Sequence, residues 1–252
     1  MSDRASPAAG LDDLVAAHRI LVREGVLDAF GHVSLRDPQE PDSFWLASAL
    51  PPSVVGRRDM IRFGIDGEPR EQVDLPLFAE RFIHSAIYAA RPDVQSICHH
   101  HAPSILPFCL SDTPLVAVSQ TGAFIGERAP IWDSAREFGP TRMVVDTPAQ
   151  AASLAGALGG QSLVLMRGHG ATVAGRSVKD VVFKSIYACR DADFQRAALA
   201  MGPVTPLSAG EIALGRTPGD PALERCWIHW NAVAGPEGGG PGHKDKKEGQ
   251  EP

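Results

Sequence analysis

The stretch VQSICHHH, residues 94–101, constrains this chain more than any other segment. It reads as a β-strand, and successive side chains of a strand point to opposite faces. Ile97, His99 and His101 therefore share one face, and Cys98 and His100 share the other. Two imidazoles at alternate strand positions stand at a separation that one metal ion can bridge. Taken alone, the pair is equally well read as two histidines that cap a strand.

A third histidine changes that balance. The apolar run at 162–166 leads into Arg167-Gly168-His169-Gly170, and ATVAG after it reads as the return strand of a hairpin. His169 then sits at a strand-end turn, between two glycines with no side chain to obstruct a ligand approaching it. Three neutral imidazoles with an open position suit one divalent ion (Zn, Mn, Fe or Co) and leave room for substrate oxygens. That is the pattern of a catalytic metal site. The four cysteines, Cys98, Cys109, Cys189 and Cys226, show no C-x-x-C spacing, so they read as small buried hydrophobes in a reducing compartment.

Around these segments, Leu11, Leu14, Val15, His18, Leu21 and Val22 recur at helical spacing, with Gly25 placed to cap. Residues 30–36 and 44–47 read as two strands of a hairpin. Residues 77–90 read as a helix that stops at Arg91-Pro92, with Glu80, His84 and Tyr88 on one face. Ser177 and Asp180 are spaced as a capping box, opening a helix that runs to about Met201 and ends at Gly202-Pro203. Phe183, Tyr187, Arg190 and Phe194 form a stripe along it. Residues 1–10 and the tail GPEGGGPGHKDKKEGQEP, 235–252, are expected to be disordered, leaving one domain over 11–234.

A formal net charge of -6, with no basic cluster outside the tail, argues against a nucleic-acid footprint. No apolar run approaches the roughly 18 residues needed to span a bilayer, and the first residues have no signal-peptide pattern. A cytoplasmic protein, with neither nucleic acid nor membrane as partner, is expected.

ERFIHSAIYAARPDVQSICHHHAP resembles the class II aldolase segment in which Glu precedes H-x-x-x-Y, R-P-D and H-x-H. LMRGHGATVAG resembles the L-x-x-x-H-G strand turn of the same family, and FGHVSLR its G-N-x-S segment. The resemblance to the class II aldolase/adducin family runs from about Leu11 to Met201. It implies an α/β fold of three layers (αβα), with a central mainly antiparallel or mixed sheet flanked by helices. It also implies a homotetramer with active sites between subunits. Carried over by position, His99, His101 and His169 become ligands of one divalent metal ion per subunit, and Glu80 becomes the catalytic proton-transfer group. On the residues alone, Glu80 would be an exposed helix carboxylate. His100 is left as structural; His84 is either an orienting partner of Glu80 or a partly buried helix histidine.

The sequence departs from the family's sugar-phosphate pattern at Gly31-His32-Val33-Ser34, Ala47-Ser48-Ala49-Leu50 and Phe78-Ala79-Glu80. A phosphate bound without donors would carry a desolvation cost on the order of several kcal/mol. The substitutions instead suit an aromatic or unsaturated carboxylate. The motifs look closest to the branch of decarboxylases acting on hydroxylated aromatic or pyridine dicarboxylates and on ring-cleavage products. Decarboxylation of such a small-molecule carboxylate is the expected reaction. An aldolase acting on an unphosphorylated hydroxy-oxo acid is the alternative, and an adducin-like scaffold lacking catalysis is a third reading. His32, Tyr187 and Arg190 are the expected substrate-binding residues, although a tyrosine on a stripe with Phe183 and Phe194 is more often core and a solvated salt bridge is the plainer account of Arg190.

Overall fold

In the computed structural model, which describes residues 7–215 and 217–235, the apolar segments pair into one seven-stranded sheet. Its strands are β1 (His32–Arg36), β2 (Ser43–Ala47), β3 (Met60–Gly64), β4 (Ser96–His100), β5 (Ile131–Trp132), β6 (Leu163–Met166) and β7 (Gly170–Gly175). The order across the sheet is β3-β2-β1-β4-β7-β6-β5. All pairs are antiparallel except β5 with β6. The histidine strand is therefore the middle strand, and its register sets His99 opposite His32 on one side and Thr172 on the other.

Eight helices accompany the sheet among the described residues: α1 (Pro7–Arg23), α2 (Arg81–Ala90), α3 (Leu106–Leu110), α4 (Ser134–Phe138), α5 (Pro148–Leu158), α6 (Val178–Met201), α7 (Ala209–Gly215) and α8 (Asp220–Ala234). Strand alternation splits the core in two. Cys98, Val33, Ala171 and Val173 pack with α1, α6 and α8, whereas Ile97, Phe44, Val164 and Ala174 pack with α2 and α5. This is the three-layer α/β arrangement with a mixed sheet. Full burial of Ile83 and Ile87 seats α2 on the second face, each such side chain contributing roughly 1.5–3 kcal/mol. No helix of the described residues is long and apolar enough to cross a membrane.

Several boundaries differ from the sequence expectation. Helix α1 begins at Pro7 rather than Leu11, because proline is tolerated in a first helical turn and the alanines after it favour helix. Residues 1–6 and 236–252, where the rest of the expected disorder falls, lie outside the described residues. Strand β1 begins at His32 rather than Phe30. Gly31 has φ +88°, and a side chain there would stand 2.9 Å from the His99 carbonyl oxygen, so the chain turns before it can pair. Helix α2 begins at Arg81 rather than Leu77. Residues 71–80 run irregularly, held where the Arg81 guanidinium donates to the carbonyls of Gly67 (2.7 Å) and Phe78 (3.2 Å). Ser177 caps α6 through the Asp180 N–H, but the Asp180 carboxylate reaches past it to the N–H of Arg176 at 2.8 Å.

Candidate metal centre and active site

His99 comes from β4, His101 from the residue beyond it and His169 from the turn joining β6 to β7. Their Nε2 atoms converge: that of His101 lies 3.0 Å from His99 Nε2 and 2.9 Å from His169 Nε2. The Nδ1 partners explain the orientation. His169 Nδ1 lies 2.5 Å from the carbonyl oxygen of Met143. A carbonyl only accepts, so the proton sits on Nδ1 and Nε2 presents a lone pair. The Thr172 hydroxyl donates to Met166 Sδ, leaving its oxygen to accept from His99 Nδ1 at 3.2 Å. His99 is thus held in the same tautomer.

Glu80 completes the cluster from the residue that opens α2. Its Oε2 lies 3.4 Å from His99 Nε2, its Oε1 lies 3.4 Å from His169 Nε2, and Oε1 accepts the Val145 N–H at 3.2 Å. Ligand atoms of all four residues fall within 4.8 Å of one another. The first turn of a helix, positive by its dipole, also favours a carboxylate there. Burial raises the Glu80 pKa, whereas His99 and His169, whenever they are protonated, and the Val145 N–H lower it. Burial, reinforced by His99, pushes His101 down to about 4 and lowers His169 as well.

His99 and His169 both turn lone pairs on His101 Nε2, which carries at most one proton, so at least one of these contacts sets lone pair against lone pair unless a cation stands among them. Imidazole ligands of a tetrahedral zinc, at about 2.0–2.1 Å from the metal, stand about 3.3 Å apart. The spacing found here is close to that, so the donor set fits a single divalent ion, and Glu80 occupies the place of a fourth ligand or an adjoining base. The outer partners Thr172 and Met143 are of the kind that orient metal-binding imidazoles.

His32, on β1, is buried beside this cluster, its ring centroid 5.2 Å from that of His99 and 4.5 Å from that of Phe78. Its Nδ1 lies 2.7 Å from His84 Nε2, His84 Nδ1 lies 2.6 Å from Ser34 Oγ, and Ser34 Oγ lies 2.8 Å from the Tyr88 hydroxyl. His84 is therefore a partner of His32 and not of Glu80, correcting one of its two sequence readings. His100 faces the opposite core, as expected, and accepts the Ala102 N–H.

Tyr187 and Arg190 are not brought to the cluster. Helix α6 packs on the far face of the sheet, where Tyr187 lies against Phe183 and Trp230 and Arg190 pairs with Glu24 at 2.7 Å. Within the subunit, the expectation that they bind substrate gives way to its alternatives, core aromatic and salt bridge. The glycines beside His169 also act otherwise than expected. A side chain at Gly170 would stand 2.3 Å from the His100 carbonyl oxygen, and Gly168 has φ +67° with Met143 Sδ 3.0 Å from its missing Cβ. They admit neighbouring backbone and a turn, not a ligand.

Sequence reasoning missed Thr172, Met143, Val145 and the contact of Phe78 with His32. Thr172 was open to detection, since alternation in ATVAG puts it on the face that meets His99. The Met143 and Val145 contacts use loop backbone, which carries no side-chain signal.

Comparison with known proteins agrees with this arrangement. Residues 12–195 match the family described as Class II Aldolase and Adducin N-terminal domain. "Decarboxylase tropJ" of Talaromyces stipitatus is 31% identical over 200 residues, 74% of this chain and 75% of that protein. A 3,4-dihydroxyphthalate decarboxylase of Arthrobacter keyseri is 27% identical over 71% of this chain and 74% of its own length. Human beta-adducin is 29% identical over 69% of this chain but only 25% of its own length. Among solved structures, the L-fuculose 1-phosphate aldolase of Glaciozyma antarctica superposes with a TM-score of 0.74 at 24% identity, covering 90% of this chain and 89% of that one. With the matched segment enclosing Glu80 and all three converging histidines, the chain belongs to the class II aldolase and adducin family.

Proposed function

We propose that this protein is a metal-dependent carbon–carbon lyase that decarboxylates a hydroxylated aromatic, or ring-cleavage-derived, carboxylate. The observation that carries the reading is the meeting of two kinds of wall: a cluster of three imidazoles and Glu80 on one side, and the Phe78 and His32 rings, 4.5 Å apart, on the other. His99, His101 and His169 would hold the ion, which when bound supplies Lewis-acid stabilisation for electrons released as a C–C bond breaks. The two relatives named as decarboxylases support the reaction class.

The chain's own groups account for the remaining tasks. Glu80 stands at the mouth of the cluster, its side chain 13% exposed, placed to take a proton from the substrate hydroxyl and return it to the carbon that loses carbon dioxide. Phe78 excludes water and favours a flat apolar ring. His32 is the one polar group in that wall and is assigned to a substrate oxygen. Phe30, beside His101, and Leu110, which follows the Cys109 whose carbonyl accepts the Gly168 N–H, are 66% and 70% exposed, which favours a second subunit of a homotetramer over this rim.

The test is product analysis over a panel of hydroxylated aromatic dicarboxylates and hydroxy-oxo acids, using protein loaded with Mn or Zn. Release of carbon dioxide with retention of the remaining skeleton is expected. Aldehyde or pyruvate fragments without carbon dioxide would instead establish an aldolase. Failure to retain more than about a tenth of an equivalent of metal would establish a scaffold.

A further inference from the structure

The chain Tyr88–Ser34–His84–His32 has a direction that proton counting settles. Among the described residues, Ser34 Oγ is the one acceptor offered to the Tyr88 hydroxyl, at 2.8 Å, since the Arg36 backbone N–H on the same oxygen can only donate. Tyr88 is buried, and a buried hydroxyl keeps its proton bonded wherever an acceptor exists. Tyr88 therefore donates to Ser34. Ser34 Oγ has one proton of its own and one other neighbour, His84 Nδ1 at 2.6 Å, to which it donates. Nδ1 of His84 is thus an acceptor and its proton lies on Nε2, which donates to His32 Nδ1 at 2.7 Å. The proton of His32 is left on Nε2. That atom is buried and, among the described residues, has no hydrogen-bond partner. It lies on the ring edge away from His84, in surroundings formed by Phe78 and His99. The opposite polarity would leave the Tyr88 proton buried without an acceptor.

We propose that Tyr88, Ser34 and His84 are positioning residues that fix His32 in its Nε2–H form, so that this N–H donates to a carboxylate or enolate oxygen of the substrate beside the metal centre. The assignment deepens the proposed lyase site and rests on that reading for its substrate. The relay itself does not. It explains why four buried polar groups occupy a face otherwise filled by Phe44, Ile83, Ile87 and Ile97, and why His32 carries a free donor inside the protein.

The experiment uses the zinc-loaded full chain, uniformly labelled with 15N, and reads the His32 tautomer from long-range imidazole correlations assigned with His32→Asn. The expected wild-type form is Nε2–H, and its resonance should move on titration with phthalate, a non-reacting aromatic dicarboxylate. His84→Glu presents an acceptor only, and should flip His32 to Nδ1–H and lower kcat by about 100-fold, as removal of a substrate-oxygen donor does. His84→Gln can still donate, so it should retain the wild-type tautomer and most of kcat. Tyr88→Phe removes one oxygen at the far end and should give a mixture of tautomers, which keeps the test open if His84→Glu fails to fold. A wild-type Nδ1–H form, or equal losses in the Glu and Gln variants with no change of tautomer, overturns the relay. No phthalate response at His32 overturns its role as substrate donor. The tautomer measurements decide the relay whatever the product assay shows of the reaction.

Discussion

His99 and His100 are neighbours in one strand, both fully buried, and they belong to different halves of the molecule. His99 faces the α2 and α5 side, where Thr172, Glu80, His101 and His32 surround it. His100 faces the α1, α6 and α8 side, where its one bonded nitrogen accepts a backbone N–H. The difference teaches that burial does not separate a histidine of the converging cluster from a core histidine here. What separates them is whether the polar neighbours on that face continue into a network that ends at a shared point.

Substitutions that respect or violate the two faces test this division. His99→Ala or His169→Ala should abolish metal retention and activity together, exceeding the ~100-fold associated with loss of an outer partner; atomic absorption and turnover measured on the same sample check it. Glu80→Gln should keep the metal and lose turnover by about 100-fold or more, as removal of a general acid or base does, and full activity would remove the assignment.

On the other face, His18 is neutral and satisfied: Nδ1 donates to the Leu14 carbonyl and Nε2 accepts from Val33 N–H. Burial pushes its pKa down to about 4, below the 6.5 of an exposed histidine. Between these values the unfolded chain binds more protons, so the stability contribution is complete above pH 6.5 and is lost as the pH falls toward 4. The loss from His18 amounts to roughly 3 kcal/mol. Urea midpoints at pH 7 and 4.5 should therefore converge in His18→Gln relative to wild type, with kcat at pH 7 retained. Thr172→Val should weaken metal binding by about 10–100-fold, measured by chelator competition. The smallest effect belongs to Arg190→Ala: loss of a part-exposed ion pair should cost about 1 kcal/mol or less and leave KM unchanged. A large rise in KM would return Arg190 to the substrate, through a neighbouring subunit.

The parts of this architecture legible beforehand are those written in side-chain periodicity. Alternation in VQSICHHH and the hairpin after His169 placed the three histidines that converge, and the spacing of Ser177 with Asp180 placed the start of α6. Helix α5 carried a readable signature in Thr147 followed by Pro148, where Thr147 accepts the Gln150 N–H, and β3 alternates Ile61 and Phe63 toward one core; neither was read. The short α2 was hidden because nothing in residues 77–80 forbids helix. It is tertiary contact, Phe78 on His32 and Arg81 on the Gly67 carbonyl, that draws the strand of chain away. The inward course of the His32 hydrogen bonds needed the packing of α2 on β1, which no local pattern encodes.

Met143 holds His169 through its carbonyl and does so with φ +62°, alone among non-glycine described residues. A left-handed conformation costs an L-residue roughly 1–2 kcal/mol, so the loop stores strain at the point that aims His169. Glycine at this position would relieve that strain while freeing the carbonyl to wander. Thermal resistance and the aim of the His169 imidazole are thus set against each other at a single backbone torsion, and a variant selected for heat tolerance can loosen the three-histidine cluster with none of its residues substituted.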